Sequence, residues 1–353
     1  MTINKASAQL RQRQDGQDPS NVASLQPEEE KATLQHPPST VRTENLYQTT
    51  TKIVHGFMDS KSNPKNSAGA LSLPATMVMV FVFYVNHAIL LALFFFISIY
   101  KNLQCTYRRI VLKFLTLAYY PNKSPQLIRE DVNKLTKIPR RVSCILDLKD
   151  DDEENGGVDG LISNISELAA WSLGAGIPNL GVYEYTGIVG RHLPELIRYI
   201  KKNLSVYFGT DSVPIFSIRV PHSNSIIYST NPSNDVNIVK PENVDLEISL
   251  LSRIDGKPTI VELTKIMCEL AVSKELSVKD ITVNLVNDEL TELVGPEPDL
   301  LIYFGPSLDL QDYPPWQIRL TEIYWEPENR DVNYAVFVRA LQKFSNCKVN
   351  VGK

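Results

Sequence analysis

The chain has 353 residues, of which 43% are hydrophobic and 22% charged, and its formal net charge at pH 7 is -4. This length accommodates one domain of about 200 residues with additional segments, and the charge gives no reason to expect nucleic acid as a partner. The four cysteines, Cys105, Cys144, Cys268 and Cys347, lack any metal-binding spacing. We therefore expect reduced, buried thiols, as suits a cytosolic domain.

The first 70 residues are polar and rich in Gln, Ser, Asn, Thr, Lys and Pro. Such a segment has little apolar surface to offset the entropy of ordering, so we predict that residues 1–70 are disordered. Within it, Leu46–Met58 offers a few apolar residues for one face of a short helix, although coincidence is the better explanation of this pattern.

A transmembrane helix is predicted from Ala75 to Ile99, because this run has no charged residue and is long enough to cross the hydrocarbon core. It starts too far into the chain to be a cleaved signal peptide. Asn86 and His87 lie near its middle. Two interpretations stay open for this pair: tolerated polar residues, or a contact with another helix.

Basic residues are more frequent after the span than before it. Lys101, Arg108, Arg109 and Lys113 follow it, whereas Lys61 and Lys65 precede it. The asymmetry predicts a cytosolic C-terminal side. Residues 101–120 also place apolar side chains at helical spacing, which fits a helix on the membrane surface or a helix packed on the soluble domain.

The soluble domain is predicted to begin near residue 137 with a strand–helix–strand unit. Val142–Leu148 and Asn179–Tyr185 have the pattern of buried strands, and Ile162–Leu173 between them has helical spacing that stops near Gly176. A βαβ unit requires a parallel sheet, so the predicted fold class is α/β with a mostly parallel sheet flanked by helices.

The remaining elements follow the same alternation. We predict helices at Leu193–Leu204 and Tyr334–Phe344, strands at Pro214–Arg219, Glu247–Ser252, Asp299–Phe304 and from Leu320, and a polar loop at Ser223–Pro241. Thr259 and Glu262 have the spacing of a capping box that opens another helix. The pattern of Ile281–Val286 fits a strand or a helix.

The stretch from Pro298 to Trp325 resembles the late signature of the cis-prenyltransferases. The retained positions are Pro298, Asp299, Leu300, Ile302, Gly305, Trp316, Gln317, Thr321 and Glu322. The two arginines of that signature are missing, since Tyr303 occupies the first position and Leu308 or Leu310 the second. Neither residue type donates the charge-assisted hydrogen bonds that a diphosphate requires.

Other parts of the family pattern are weakened as well. The resemblance places Asp147 at the catalytic aspartate and Lys257 at the arginine of a Gly-Gly-Arg motif. The family's phosphate loop is replaced by the acidic run Asp150–Glu154, for which a solvated loop is a more ordinary role than a metal site. We predict that Asp147 keeps the position of the catalytic residue without its role. The resemblance favours a helix at Ile281–Val286.

Together, retained pattern and lost arginines resemble the non-catalytic, Nogo-B-receptor-type subunits of dehydrodolichyl diphosphate synthase, with a fungal-like sequence. This resemblance implies a single-pass protein of the endoplasmic reticulum membrane with no catalytic residue of its own. Its partner would be a catalytic cis-prenyltransferase. Magnesium would be bound mainly by that partner, and isoprenoid diphosphates would bind to the complex. Two alternatives stay open: a homomeric cis-prenyltransferase, and a membrane receptor or lipid-binding adaptor.

The resemblance also implies two functional surfaces. Related subunits end in an Arg-x-Gly tail that contacts substrate diphosphate in the partner's active site, and here Asn350, Val351 and Gly352 occupy the matching positions. The family dimerises near the last strand. We therefore predict that Trp316, Arg319, Glu322 and Tyr324 contact the partner, while core packing is an equal alternative for Trp316.

Overall fold

A computed structural model describes residues 73–118, 124–230 and 243–347. The segment predicted to be disordered, residues 1–70, lies outside the described residues. So does the C-terminal tail with Asn350, Val351 and Gly352.

Helix α1, Leu73–Ala118, contains the predicted transmembrane segment. Within it, Val80–Leu117 is long and apolar enough to cross a membrane, with a mean hydropathy of 2.4. No other helix in the described parts of the chain meets both conditions.

The described residues fall into two compact units, one of residues 73–103 and one beginning at Gln104. In the second unit, the end of α1 packs on the folded domain. Leu112 contacts the main core, and Arg109 forms an ion pair with Glu328 at 2.9 Å. For the part of this helix from Gln104 onward, the core-packing interpretation is thus correct on the face that carries Arg109 and Leu112.

The folded domain is a seven-stranded sheet with helices on both faces. Its helices are α2 Pro125–Asn133, α3 Gly157–Ala175, α4 Leu193–Phe208, α5 Lys257–Val272, α6 Val283–Leu293 and α7 Tyr334–Asn346. Its strands are β1 Arg141–Leu146, β2 Asn179–Glu184, β3 Phe216–Val220, β4 Ser225–Tyr228, β5 Leu246–Leu251, β6 Leu300–Phe304 and β7 Glu322–Trp325.

The strand order is β4-β3-β5-β2-β1-β6-β7, and every pairing is parallel except that of β3 with β4. The predicted βαβ unit is confirmed: β1 pairs with β2, with Val142 opposite Leu180. Because β1 and β6 are also parallel neighbours, their carboxyl ends lie side by side.

Two sequence predictions were wrong. The segment predicted as a polar loop at Ser223–Pro241 contains β4, an edge strand of only four residues set among polar ones. Residues 231–241 of that segment are outside the described part. The capping box at Thr259 does not exist, because α5 begins earlier, at Lys257, with Gly256 as its N-cap. The Thr259 hydroxyl instead donates to the Ile254 carbonyl at 2.9 Å.

A separate hydrophobic cluster covers each face of the sheet. The larger one joins the sheet to α2, α3, α4 and α7, with Ile165 and Phe337 fully buried. The smaller one joins it to α5 and α6, with Ile266 and Leu290 at its centre. The smaller cluster also includes Tyr303 and residues of the loop after β6, so that loop is part of the folded core.

Candidate functional site at the carboxyl ends of β1 and β6

Asp147 is the residue directly after β1, at the edge where parallel α/β sheets usually bind ligands. Its Oδ1 atom accepts a hydrogen bond from Gln311 Nε2 at 2.5 Å, and its Oδ2 atom accepts one from the Tyr303 hydroxyl at 3.3 Å. Burial raises the pKa of Asp147, although both hydrogen bonds oppose that shift. Both carboxylate oxygens are therefore engaged within the protein.

Tyr303 replaces the family's first arginine and fills the space beside Asp147. It is 3% exposed, and burial together with the Asp147 charge raises its pKa to about 12. Its ring lies against Gly305, where an added Cβ would be only 2.4 Å from the ring carbon Cζ. Gly305 is thus retained at a point where the backbone must approach a tyrosine ring.

The loop after β6 is held over this edge by further hydrogen bonds. The Tyr183 hydroxyl donates to the Gln311 carbonyl, and the Tyr313 hydroxyl donates to Ser143 Oγ at 3.0 Å. The rings of Tyr183 and Tyr313 also contact each other, with centroids 5.2 Å apart. This tyrosine network fixes Gln311 against Asp147.

The side chain of Lys257, at the position of the Gly-Gly-Arg arginine, is also paired within the protein. Its Nζ atom forms an ion pair with Asp312 Oδ1 at 2.6 Å. Asp312 belongs to the same loop as Gln311, and both residues adopt positive φ angles, 58° and 49°. The loop after β6 therefore pairs the Lys257 cation with a carboxylate.

The acidic run before α3 is exposed, as expected for a solvated loop. Asp151 lies at the N-terminus of α3, where its Oδ1 atom is 2.4 Å from the position of a Cβ added to Gly157. A carboxylate at a helix N-terminus is favourable, and its charge there repels a phosphate.

The residues around Asp147 do not fit a magnesium ion. Within residues 73–118, 124–230 and 243–347, no group of three His, Cys, Asp or Glu side chains could hold a metal. Asp147 has both oxygens in hydrogen bonds, and Lys149, two residues on, pairs with Asp331 at 2.5 Å.

Two of the four predicted interface residues lie together beside α6. Trp316 is partly buried against the smaller cluster, and Arg319 stacks on its ring at 4.8 Å from the centroid. Both side chains donate to Asn287 Oδ1 of α6, at 3.2 and 2.8 Å. Trp316 thus packs partly on the core, whereas Arg319 is exposed. The contact of these residues with a partner stays a prediction.

The other two, Glu322 and Tyr324, lie on the edge strand β7. Tyr324 packs against the main core and donates to Glu326 at 2.6 Å. Glu322 accepts a hydrogen bond from the thiol of Cys347 at 3.2 Å. In the part of the chain that the structure describes, β7 pairs only with β6, and Leu320 just before it is 61% exposed.

The last described residue of the chain is fixed at the same edge. Lys137 Nζ donates to the Cys347 carbonyl at 2.5 Å and lies over the ring of Phe344. Thr136 forms hydrogen bonds with Ser345, including one from its hydroxyl to the Ser345 carbonyl at 3.0 Å. The tail that follows thus begins from an anchored position next to Glu322.

The family resemblance singled out Asp147, Tyr303 and Lys257, but the side chains that bind them were not predicted. Gln311, Asp312 and Asn287 have no motif, and only folding of the loop brings them close. The run Gln311-Asp312, polar residues in a turn-rich segment, was the one available signal.

No profile of a known protein family matches the chain. It is 47% identical over 273 residues to the "Dehydrodolichyl diphosphate synthase complex subunit NUS1" of Saccharomyces cerevisiae, covering 75% of this chain and 73% of that protein. It is 35% identical over 238 residues to the corresponding subunit, nus1, of Schizosaccharomyces pombe, covering 67% and 86%.

Among solved structures, lavandulyl diphosphate synthase from Lavandula x intermedia in complex with dimethylallyl diphosphate aligns with a TM-score of 0.43 at 16% identity. The alignment covers 61% of this chain and 99% of that one. The two yeast relatives are similar over most of their own length, which is sufficient to assign a family. This chain belongs to the family of NUS1 subunits of the dehydrodolichyl diphosphate synthase complex.

Proposed function

We propose that this chain is the non-catalytic, membrane-anchored subunit of a dehydrodolichyl diphosphate synthase complex. Its partner is a catalytic cis-prenyltransferase that elongates farnesyl diphosphate with isopentenyl diphosphate, for dolichol and protein glycosylation. One observation carries the proposal. At the carboxyl ends of β1 and β6, Gln311 and Tyr303 form hydrogen bonds with both oxygens of Asp147, and Asp312 forms an ion pair with Lys257.

The chain alone is inactive under this proposal. A diphosphate needs several charge-assisted donors, each worth about 1.5–3 kcal/mol. The family's two arginine positions hold Tyr303 and Leu308 or Leu310, which supply none. Leu310 packs against the smaller core cluster, so it does not create an open site either.

The partner binds at the edge formed by β7 and the loop before it. Arg319 and Leu320 are exposed there, next to Trp316, and aromatic residues with arginine commonly anchor interfaces. Glu322 and Tyr324 of β7 belong to the same interface, and each side chain is oriented by a hydrogen bond within the chain.

The C-terminal tail performs the remaining chemical role. Cys347 is fixed beside Glu322, so residues 348–353 start at the proposed interface. We place Asn350, Val351 and Gly352 at the partner's diphosphate site, with main-chain N–H groups as the principal donors. Magnesium is bound mainly by the catalytic partner, which is consistent with the poor fit of the Asp147 region.

The apolar part of α1 anchors the protein in the endoplasmic reticulum membrane as a single span at Ala75–Ile99. The basic residues after the span favour a cytosolic domain from residue 137 to 353, with residues 100–136 as the juxtamembrane helix and linker.

The proposal is tested with the full-length chain in detergent, alone and co-expressed with the catalytic cis-prenyltransferase of the same cell. Incorporation of labelled isopentenyl diphosphate is expected only for the co-purified pair. Turnover by the pure single chain would establish the homomeric enzyme instead. Failure of any synthase to co-purify would favour the receptor or lipid-binding adaptor.

A further inference from the structure

The last part of α1 carries a second apolar face that the folded domain does not cover. Tyr107, Ile110, Phe114 and Leu117 are 68%, 62%, 68% and 78% exposed. These four residues, here called the α1 seam, are spaced by three, four and three positions. That spacing places them in one line along the helix.

The α1 seam points away from the domain. The opposite face contacts it through Arg109, which pairs with Glu328, and through Leu112, which packs against the main core. Cys105, seven positions before Leu112, is partly buried on the same side. The domain thus occupies one face of this segment, and four large apolar side chains remain on the other.

The spacing of the seam is that of a coiled coil. If Tyr107 and Phe114 are a positions and Ile110 and Leu117 are d positions, Cys105 and Leu112 fall at f, the position farthest from a coiled-coil partner. In the sequence, the same alternation of three and four continues back through Leu103 to Asn86. An asparagine at a is a common determinant of helix pairing, including within membranes.

The flanking positions allow pairing with an identical helix. In a parallel dimer each g residue faces the next e residue of the other copy, which sets Thr106 opposite Val111 and Lys113 opposite Ala118. Neither pair combines like charges. A helix lying on a membrane surface normally has a broader apolar face than this single line of a and d residues.

We propose that a second copy of this chain covers the α1 seam, forming a parallel, in-register helix pair. Two copies anchored by the same segment in one membrane are held parallel and at the same depth, so identical seam residues meet. The two folded domains then lie on the outside of the pair. This contact is separate from the synthase interface proposed at β7.

The test is a cysteine scan of the full-length chain in native membranes, from position 106 to 117. The background carries Cys105→Ser, Cys268→Ser and Cys347→Ser and keeps the fully buried Cys144. Oxidative cross-linking is expected to give homodimers at Tyr107→Cys, Ile110→Cys and Phe114→Cys. It should be at least about fivefold weaker at Arg108→Cys, which lies at a b position on the outer side of the pair.

A second measurement uses Phe114→Glu, with Arg108→Glu as the matched control. Phe114→Glu should abolish cross-linking through Ile110→Cys while synthase co-purification and turnover stay unchanged; Arg108→Glu should alter neither. Cross-linking without periodicity would overturn the proposal. Cross-linking of seam cysteines to the synthase would also overturn it. So would an absence of cross-linking together with quenching of Phe114→Trp fluorescence by nitroxide-labelled lipids, because lipid would then cover the seam.

Discussion

Gln311 Nε2 lies 2.5 Å from Asp147 Oδ1, so the loop after β6 holds the carboxylate that the family resemblance places at the catalytic position. The Tyr303 hydroxyl engages the other oxygen. A carboxylate bound on both sides is a structural group, and its removal should affect stability more than turnover of the complex.

Asp147→Asn tests this interpretation. A general acid or base contributes about 10²–10⁴-fold, whereas we expect turnover of the assembled complex to change by less than about threefold. Burial raises the pKa of Asp147, so the folded state binds its proton more tightly than the unfolded state does. Its contribution to stability therefore falls as the pH rises above the ordinary aspartate range.

The stability of the variant relative to that of wild type should consequently be higher at pH 7.5 than within the ordinary aspartate range, as measured by thermal unfolding of the full chain. Asp299→Asn serves as the control, because Asp299 Oδ2 accepts N–H bonds from Arg140 and Arg141. That variant should be less stable by roughly 1–3 kcal/mol. A large loss of turnover in Asp147→Asn would restore a catalytic role.

Gly305→Ala should destabilise the domain because the new methyl group would meet the Tyr303 ring, whose Cζ atom is 2.4 Å from the added Cβ. Overpacking of this kind costs about 1–3 kcal/mol. Tyr303→Leu removes the ring, so the two substitutions together should cost less than the sum of their separate effects. Denaturant unfolding of the four proteins measures this coupling, and strict additivity would contradict the assigned contact.

Features of the fold that depend on local interactions could be predicted from the sequence, and contacts between distant segments could not. Local periodicity predicted the βαβ unit and α7 within a few residues, because burial of one face fixes each element. β4 was missed because a short edge strand has a weak apolar pattern. The positions of Asp147, Tyr303 and Lys257 followed from the family pattern, but Gln311 and Asp312 approach them only once the loop folds, and no local signal encodes that.

Arg319→Ala and Glu322→Ala should each weaken co-purification of the synthase, by about tenfold or more for Arg319, since an exposed arginine stacked on a tryptophan is typical of an interface anchor. Lys265→Ala is the matched control, because Lys265 is an exposed cation on α5 paired only locally with Glu262. If both variants retain the synthase as wild type does, the interface is elsewhere.

Asn122, Asn164 and Asn203 begin Asn-x-Ser sequons, and a cytosolic domain should leave all three unmodified. The structure separates them as reporters, because Asn164 and Asn203 lie within α3 and α4, and Asn203 is 8% exposed. Asn122 lies outside the described residues, between α1 and α2. Glycosidase-sensitive mass at Asn122 in native protein would contradict the cytosolic orientation of the domain. A lack of glycosylation at Asn164 and Asn203 alone would not establish that orientation.

The C-terminal tail should be required for turnover and dispensable for assembly. Its starting point is fixed by Lys137, which binds the Cys347 carbonyl, and by Glu322, which binds the Cys347 thiol. Deleting the last four residues removes Val351 and Gly352, whose N–H groups we propose as diphosphate donors, and loss of such donors typically costs about 10²–10³-fold in turnover.

A bulky substitution at Gly352 should have a similar effect, because a glycine lets the main chain approach phosphate oxygens. Asn350→Ala should cost less than about tenfold, since a neutral amide contributes about 0.5–1.5 kcal/mol. Lys137→Ala, which releases the base of the tail, should give an intermediate loss that Lys137→Arg partly restores. Turnover and synthase co-purification are measured for each variant. Full activity after the deletion would show that the tail does not contact substrate, and loss of co-purification would assign it to assembly.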